Sequence, residues 1–198
     1  MSAIIFDTNI ISDIYLPEPP EWLLAWVVAL PPESVVIPWT LVYETEYGIR
    51  CSERSNPQKA IYLLGWFEEF LQQRLTFLDM TVEGARLLGR MAACPPLRTM
   101  FETPPLFNRN GERIKNEKVK LGADAMVAAM SIAHGIPIAT LNIKDFVHIH
   151  RHFPLPGLYN PRADGWVIDP PPGWGRCDNA NDDFETSHGS PLTENPSL

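Results

Sequence analysis

Four acids stand where a chain of this pattern could do chemistry: Asp7, Glu44, Asp124 and Asp145. Asp7 directly follows the apolar run Ile4-Ile5-Phe6, which reads as a strand buried on both faces of a parallel sheet. That puts its carboxylate at the C-terminal edge of a central strand, where open α/β sheets bind ligands. Glu44 lies in the first turns of the helix expected after a second strand. Asp124 opens a further helix and shares one face of it with Val127, Ala128 and Ser131. Asp145 follows the fourth strand. Taken singly, Glu44 and Asp124 are ordinary acids at a helix N-terminus, favoured by the helix dipole, and Asp145 is a cap. Taken together they repel, and such a set stays ionised in a dry site only when a cation joins it. All-oxygen donors suit Mg²⁺ or Mn²⁺, ions that activate water and support phosphoryl displacement. The chemistry indicated is phosphodiester hydrolysis.

The elements that must position these acids alternate between strand and helix. After the first strand, Thr8 and Asn9 form a turn, Ile10 to Leu16 reads as a short helix, and Trp22 to Leu30 as a second. Ser34 to Pro38 is β-branched and short, a second strand. Thr40 is placed as the N-cap of the helix that carries Glu44. Gln58 to Leu75 puts Ile61, Leu64, Phe67 and Leu71 on one helical face, and Leu75 to Leu78 reads as a third strand. Val82 to Ala93 is a helix with Ala85, Leu88 and Met91 inward. Leu121 to His134 is a small-residue helix, with Gly135 and Pro137 as its stop. Ile136 to Ala139 is a fourth strand, Lys144 to His150 a short helix, and Gly157 to Tyr159 an edge strand. This alternation specifies an α/β fold with a parallel sheet.

Residues 94–120 break the rhythm with Pro95, Pro96, Pro104, Pro105 and Gly111 and read as a long loop. Arg98, Arg109, Arg113, Lys115, Lys118 and Lys120 outweigh Glu102, Glu112 and Glu117 there, so the insertion is locally basic. It is either a solvated loop or a ridge that meets substrate.

The 198 residues suffice for one domain, taken as 1–160, followed by an acidic, Pro- and Gly-rich extension over 161–198 expected to be largely disordered, since from Pro170 on the chain is too poor in apolar residues to fold alone. From Arg176 onward one Arg faces five acids, half of the formal charge of −8. The rest is still mildly acidic, which argues against broad non-specific binding to duplex nucleic acid. Cys51, Cys94 and Cys177 are odd in number and far apart, so neither a disulfide framework nor a zinc knuckle is expected, and a reducing cytoplasm suits them. No stretch has the length of a membrane span, and no secretory leader is expected.

Three segments, in this order, resemble the PIN-domain ribonucleases, most closely the VapC-type toxins of prokaryotic toxin–antitoxin pairs. They are Phe6 to Ser12, Glu44 to Ile49, and Asp124 to Ala129 running on to His134 through Phe146. The resemblance covers roughly residues 3–150 and implies a three-layer α/β/α sandwich with a mainly parallel sheet. It also implies Mg²⁺ or Mn²⁺ held by Asp7, Glu44, Asp124 and Asp145, with Thr8 or Asn9, and Thr140 or Asn142, orienting those acids. Glu44 is preferred to Glu46 because the family's acid stands four residues before the glycine, here Gly48. By the same resemblance the substrate is RNA, cut by water to leave a 3′-hydroxyl and a 5′-phosphate. The partners are a second copy and an antitoxin that blocks the acidic cleft with a basic side chain. The insertion at 94–120 exceeds what compact VapC toxins carry, and the C-terminal extension has no counterpart in the motif.

Other readings fare worse. A haloacid-dehalogenase-like phosphatase needs a second acid two residues after the first, and Asn9 stands there. An aspartic protease is opposed by Asn9 and by the α/β pattern. Walker, Gly-x-Ser-x-Gly and zinc motifs are absent. His148, His150 and His152 read as a solvated helix-to-turn segment rather than a metal site. The remaining competitor is a PIN-like interaction module without activity.

Overall fold

A computed structural model of the chain describes residues 3–102, 106–107, 110–111, 113–114 and 122–174. Strands β1 (Ile4–Phe6), β2 (Val35–Pro38) and β3 (Thr76–Leu78) lie side by side in parallel. β6 (Ile138–Ala139) pairs with the other edge of β1, also in parallel, and β7 (Leu158–Asn160) pairs in parallel with β6. β8 (Gly165–Ile168) closes the sheet antiparallel to β7, so the order is β3-β2-β1-β6-β7-β8. The chain thus steps from β1 one way to β2 and β3, and later returns on the other side of β1 as β6. The crevice between β1 and β6 is the switch point at which open α/β sheets take ligands.

Helices cover both faces. Successive residues of β1 point to opposite sides, Ile5 into one core and Ile4 and Phe6 into the other, and all three are at most 1% exposed. On the Ile5 side pack α5 (Val82–Ala92), α7 (Ala123–His134) and α8 (Ile143–His150). On the Phe6 side pack α1 (Thr8–Ile14), α2 (Glu21–Ala29), α3 (Trp39–Ser55) and α4 (Pro57–Leu71). The result is a three-layer α/β/α sandwich with a mainly parallel sheet, as the resemblance implied.

Two elements fix acids of the site directly. α7 buries Ala125, Val127, Ala128, Ala129 and Met130 completely, and its small side chains let it lie close to the sheet. α8 is anchored by Phe146 and Ile149, both 0% exposed, each contributing about 1.5–3 kcal/mol of burial. Those anchors hold the turn that carries Asp145.

Several expectations need correction. Thr40 is not an N-cap: α3 starts at Trp39 after Pro38, and the Thr40 hydroxyl is buried with no hydrogen-bond partner among the described residues. α4 ends at Leu71 and buries Ala60, Phe67 and Phe70, while Ile61 is 67% exposed. α5 buries Gly84, Leu87 and Met91 rather than Ala85 and Leu88. Both helices lie on a twisted sheet, which selects one stripe among several apolar residues that the helical period leaves equivalent. The region at 94–120 is not all loop. It holds a short α6 (Arg98–Phe101) and a hairpin of β4 (Leu106–Phe107) with β5 (Arg113–Ile114). β7 is not an edge strand, because β8 covers it. Residues 165–168 therefore belong to the sheet, and Trp174 packs edge-on against Trp166 and donates to the Ala3 carbonyl at 3.0 Å. Residues 175–198 lie outside the described residues.

Two glycines set the ends of α7. Gly122 (φ 65°) precedes the helix and Gly135 (φ 67°) terminates it, both in the left-handed region. A Cβ on Gly122 would lie 2.8 Å from the Phe101 ring, whereas one on Gly135 meets open space. Gly135→Ala should therefore cost about 1 kcal/mol and Gly122→Ala about 2 kcal/mol or more, measured by chemical denaturation. Equal losses would show that the Phe101 contact yields freely.

Candidate active site

Asp7 is the first residue beyond β1 and caps α1, yet it is no ordinary cap. Its backbone N–H donates to the Ala139 carbonyl at 3.1 Å, continuing the ladder between β1 and β6. Its side chain is 4% exposed. Oδ1 accepts from the Thr8 backbone N–H at 2.8 Å, and Oδ2 accepts from the Thr140 hydroxyl and the Asn9 amide, both at 2.6 Å. Burial pushes its pKa up from 3.8 to about 6, further raised by the Glu44 charge and opposed by the three donors.

Thr8 and Asn142 tie the remaining acids in. The Thr8 hydroxyl donates to Glu44 Oε2 at 2.7 Å, linking the start of α1 to α3. The Asn142 amide donates to Asp124 Oδ2 at 3.0 Å and to Asp145 Oδ2 at 2.8 Å, joining α7 to α8. Asn142 is itself fixed by its backbone N–H, which donates to the Thr140 hydroxyl at 2.9 Å. Asn9 completes the frame, accepting from the Leu141 backbone N–H at 3.1 Å and donating to Thr140 Oγ1 at 3.1 Å. Thr140 thus connects the buried Asp7 to the residue that holds Asp124 and Asp145.

The four acids share one electrostatic environment. Burial first, then the negative charges of Asp7, Asp145 and Glu44, raise the Asp124 pKa from 3.8 to about 7. Burial also raises that of Glu44, against the Thr8 hydrogen bond. Glu46, two residues on, turns away from this group and pairs with Arg50 at 2.7 Å.

Solved structures share this architecture. No protein-family model matches the sequence, and no curated protein matches it. FitAcB from Neisseria gonorrhoeae superposes with a TM-score of 0.53 at 20% identity, covering 80% of this chain and 98% of that one. DNA-bound VapBC from Salmonella typhimurium gives 0.53 at 20% identity, over 81% and 99% of the two chains. VapBC2 from Rickettsia felis, bound to a DNA fragment from their promoter, gives 0.51 at 22% identity, over 83% and 98%. The chain has a VapC-like PIN-domain fold.

Within this PIN fold the donor set is chemically that of a hard divalent cation, carboxylate oxygens throughout. Among the described residues, no group of three or more acids, histidines or cysteines is placed so that it could hold a metal ion as it stands. Each of Glu44, Asp124 and Asp145 commits one oxygen to its orienting partner, and among the described residues its other oxygen accepts no hydrogen bond. That is the arrangement of a ligand steered from behind by a neutral donor.

The sequence left Thr8 against Asn9, and Thr140 against Asn142, open as orienters. All four donate hydrogen bonds to the acids: Thr8 to Glu44, Asn9 and Thr140 both to Asp7, and Asn142 to Asp124 and Asp145. The bridging of Asp124 to Asp145 by one Asn142 amide was not anticipated; the Asn142-x-x-Asp145 spacing at a helix start was its only signal. Arg98 is exposed and paired with Glu102 at 2.8 Å. The side chain of Arg113, together with Arg109, Lys115, Lys118 and Lys120, lies outside the described residues. His148 and His150 serve the fold, one at the Pro96 carbonyl and the other accepting from the Leu155 N–H. An apolar cavity of about 350 Å³ lies between α1, α2, α4 and β2; Phe6 lines it and none of the four acids does.

The raised acids make stability depend on pH when metal is chelated. The folded chain keeps protons on Asp7 up to about 6 and on Asp124 up to about 7, whereas unfolding returns both to 3.8. The folded state therefore binds more protons in that window, and stability falls as pH rises through it. Asp124→Asn removes its share of the penalty. In EDTA the variant should gain about 1–2 kcal/mol on wild type between about pH 5 and about pH 8, by urea denaturation. Parallel pH profiles would mean that Asp124 carries no such burden.

Proposed function

We propose that the chain is a divalent-metal-dependent endoribonuclease and the toxin of a toxin–antitoxin pair. The observation that carries this reading is the convergence of Asp7, Glu44, Asp124 and Asp145 at the β1–β6 switch point, with Asp7 and Asp124 pushed well above the usual carboxylate range. A site that crowds negative charge until its acids hold protons is built for a cation to offset it. The choice of RNA rests on the sequence resemblance to PIN-domain ribonucleases. The antitoxin rests on that resemblance and on the fold neighbours, which are VapBC and FitAcB. A homodimer follows from the resemblance alone, and a cytoplasmic site of action from the cysteine usage. Among the described residues no helix is long and apolar enough to cross a membrane.

Bound Mg²⁺ or Mn²⁺ would supply activation of water and charge neutralisation at the scissile phosphate. Asp7, Glu44 and Asp124 are its holders in this reading, and Asp145 completes the set. Thr140, Asn9 and the Thr8 N–H keep the Asp7 carboxylate in one orientation. Thr8 aims Glu44, and Asn142 keeps Asp124 and Asp145 from swinging apart. Water attacks the phosphorus in line with the departing 3′-oxygen, leaving a 3′-hydroxyl and a 5′-phosphate. A partner's basic side chain lying against the same acids would satisfy their charge as a cation does, which is how an antitoxin would silence them.

Purified protein incubated with total cellular RNA should cut it in Mg²⁺ or Mn²⁺ and not in EDTA. Asp7→Asn and Asp124→Asn should each lower the rate by more than about a hundredfold. Asn142→Ala and Thr8→Val should lose about 10- to 100-fold, as orienting partners do. A 2′,3′-cyclic phosphate end would sink the water-attack mechanism. Absence both of cleavage and of calorimetric metal binding would favour the inactive interaction module.

A further inference from the structure

We propose that Thr40 is a further positioning residue of the carboxylate site, its hydroxyl donating to Glu44 when the site takes its cation. The proposal rests on the metal reading of that site and adds to it a residue one helical turn before Glu44. Five polar or charged side chains among the described residues are buried: Asp7, Ser34, Thr40, Ser131 and Thr140. Four of them are bonded. Thr140 donates to Asp7, and Ser34 and Ser131 donate to the Pro31 and Ile136 carbonyls, each at 2.6 Å. Thr40 is 0% exposed, and among the described residues its hydroxyl has no partner. The indole N–H groups of Trp39 and Trp66 share that lack, but each ring lies against another, Trp39 beside Tyr43 and Trp66 stacked on Tyr15, so ring packing offsets it. A hydroxyl has no such compensation.

Local structure accounts for the unpaired hydroxyl. A Thr inside a helix can donate to the carbonyl three or four residues back. Thr40 is the second residue of α3, so those positions, Ile37 and Val36, lie in β2 and offer no helical carbonyl. Glu44 stands four residues on, on the same helical face, and helical side chains lean toward the N-terminus. Glu44 therefore reaches back over the turn that carries Thr40. Its Oε2 is taken by the Thr8 hydroxyl, and among the described residues its other oxygen accepts no hydrogen bond. An unpaired donor and an unfilled acceptor thus share one turn of α3 without bonding to each other. The acids do not hold a metal as they stand, so they must draw together around one. Glu44 is the member of the group that α3 supplies, and Thr40 is the donor on its face of that helix. Valine would occupy the same space without an unpaired hydroxyl, and a buried donor left unmade is costly. A bond made in the cation-bound site explains why the hydroxyl is there.

The test is calorimetric titration of the full chain with Mn²⁺, beside urea denaturation in EDTA, for wild type, Thr40→Val and Thr40→Ser. Thr40→Val should bind Mn²⁺ about tenfold or more weakly, as loss of an orienting partner does, while Thr40→Ser keeps the affinity. In EDTA, Thr40→Val should unfold at the same urea concentration as wild type or a higher one, because it loses no hydrogen bond and sheds an unpaired hydroxyl. Wild-type affinity in the Val variant overturns the proposal. So does an equal loss in the Val and Ser variants, which would make packing the cause. A lower urea midpoint for Thr40→Val also overturns it, since the hydroxyl would then be bonded without any cation. The underlying readings fail separately. No Mn²⁺ binding by wild type removes the cation site and the role of Thr40 with it. Binding that needs the Thr40 hydroxyl, without cleavage of RNA, rejects the nuclease and keeps the positioning role.

Discussion

The arrangement depends on one buried carboxylate. Asp7 has its oxygens filled by the Thr8 N–H, the Thr140 hydroxyl and the Asn9 amide, and its backbone N–H bonded to Ala139. An acid this enclosed is destabilising when ionised, and only donors fixed by the fold make it tolerable. Those donors come from the residues that directly follow the two strands flanking the switch point. The same contacts that satisfy Asp7 therefore lock the ends of β1 and β6 together, and every other acid is referenced to that lock.

From this follows a division of labour between core and edge. The two-sided burial of Ile4, Ile5 and Phe6 encloses β1, and its rigidity is inherited by the residue that follows it. α7 and α8 lie on one face and α1 and α3 on the other, so the acids arrive from both layers. Thr8 reaches across to Glu44, and Asn142 spans Asp124 and Asp145. Neutral donors link the carboxylates and, among the described residues, leave one oxygen each of Glu44, Asp124 and Asp145 without a hydrogen bond. α3 enters this scheme through Glu44, turned to the acids, while its Tyr43 and Tyr47 turn to solvent.

Much of the α/β layout was legible in the residues. A continuous apolar run means a strand buried on both faces, and Gly135 with Pro137 marks a helix end sharply. The errors share one cause. The inner stripes of α4 and α5 were misjudged because Ile61 and Ala85 are apolar at helical spacing, and only the packed neighbours decide which apolar residues turn inward. β8 escaped notice because its role is to pair with β7, and antiparallel pairing at the edge of a sheet leaves little trace in a four-residue segment. Thr40 shows the converse, a cap-forming residue that the β2-to-α3 junction swallowed whole.

What the sequence determined by itself was the inventory: four acids, each at the end of a strand or the start of a helix, with Thr or Asn beside them. Local preference suffices for that, because strand ends and helix starts are written in neighbouring residues. Tertiary structure alone decided which donor serves which acid. Thr140 and Asp7 are 133 residues apart and meet only because β6 returns beside β1. Asn142 bridges two acids because α7 and α8 converge there. Such choices depend on long-range packing, and no short stretch of chain contains the information to make them.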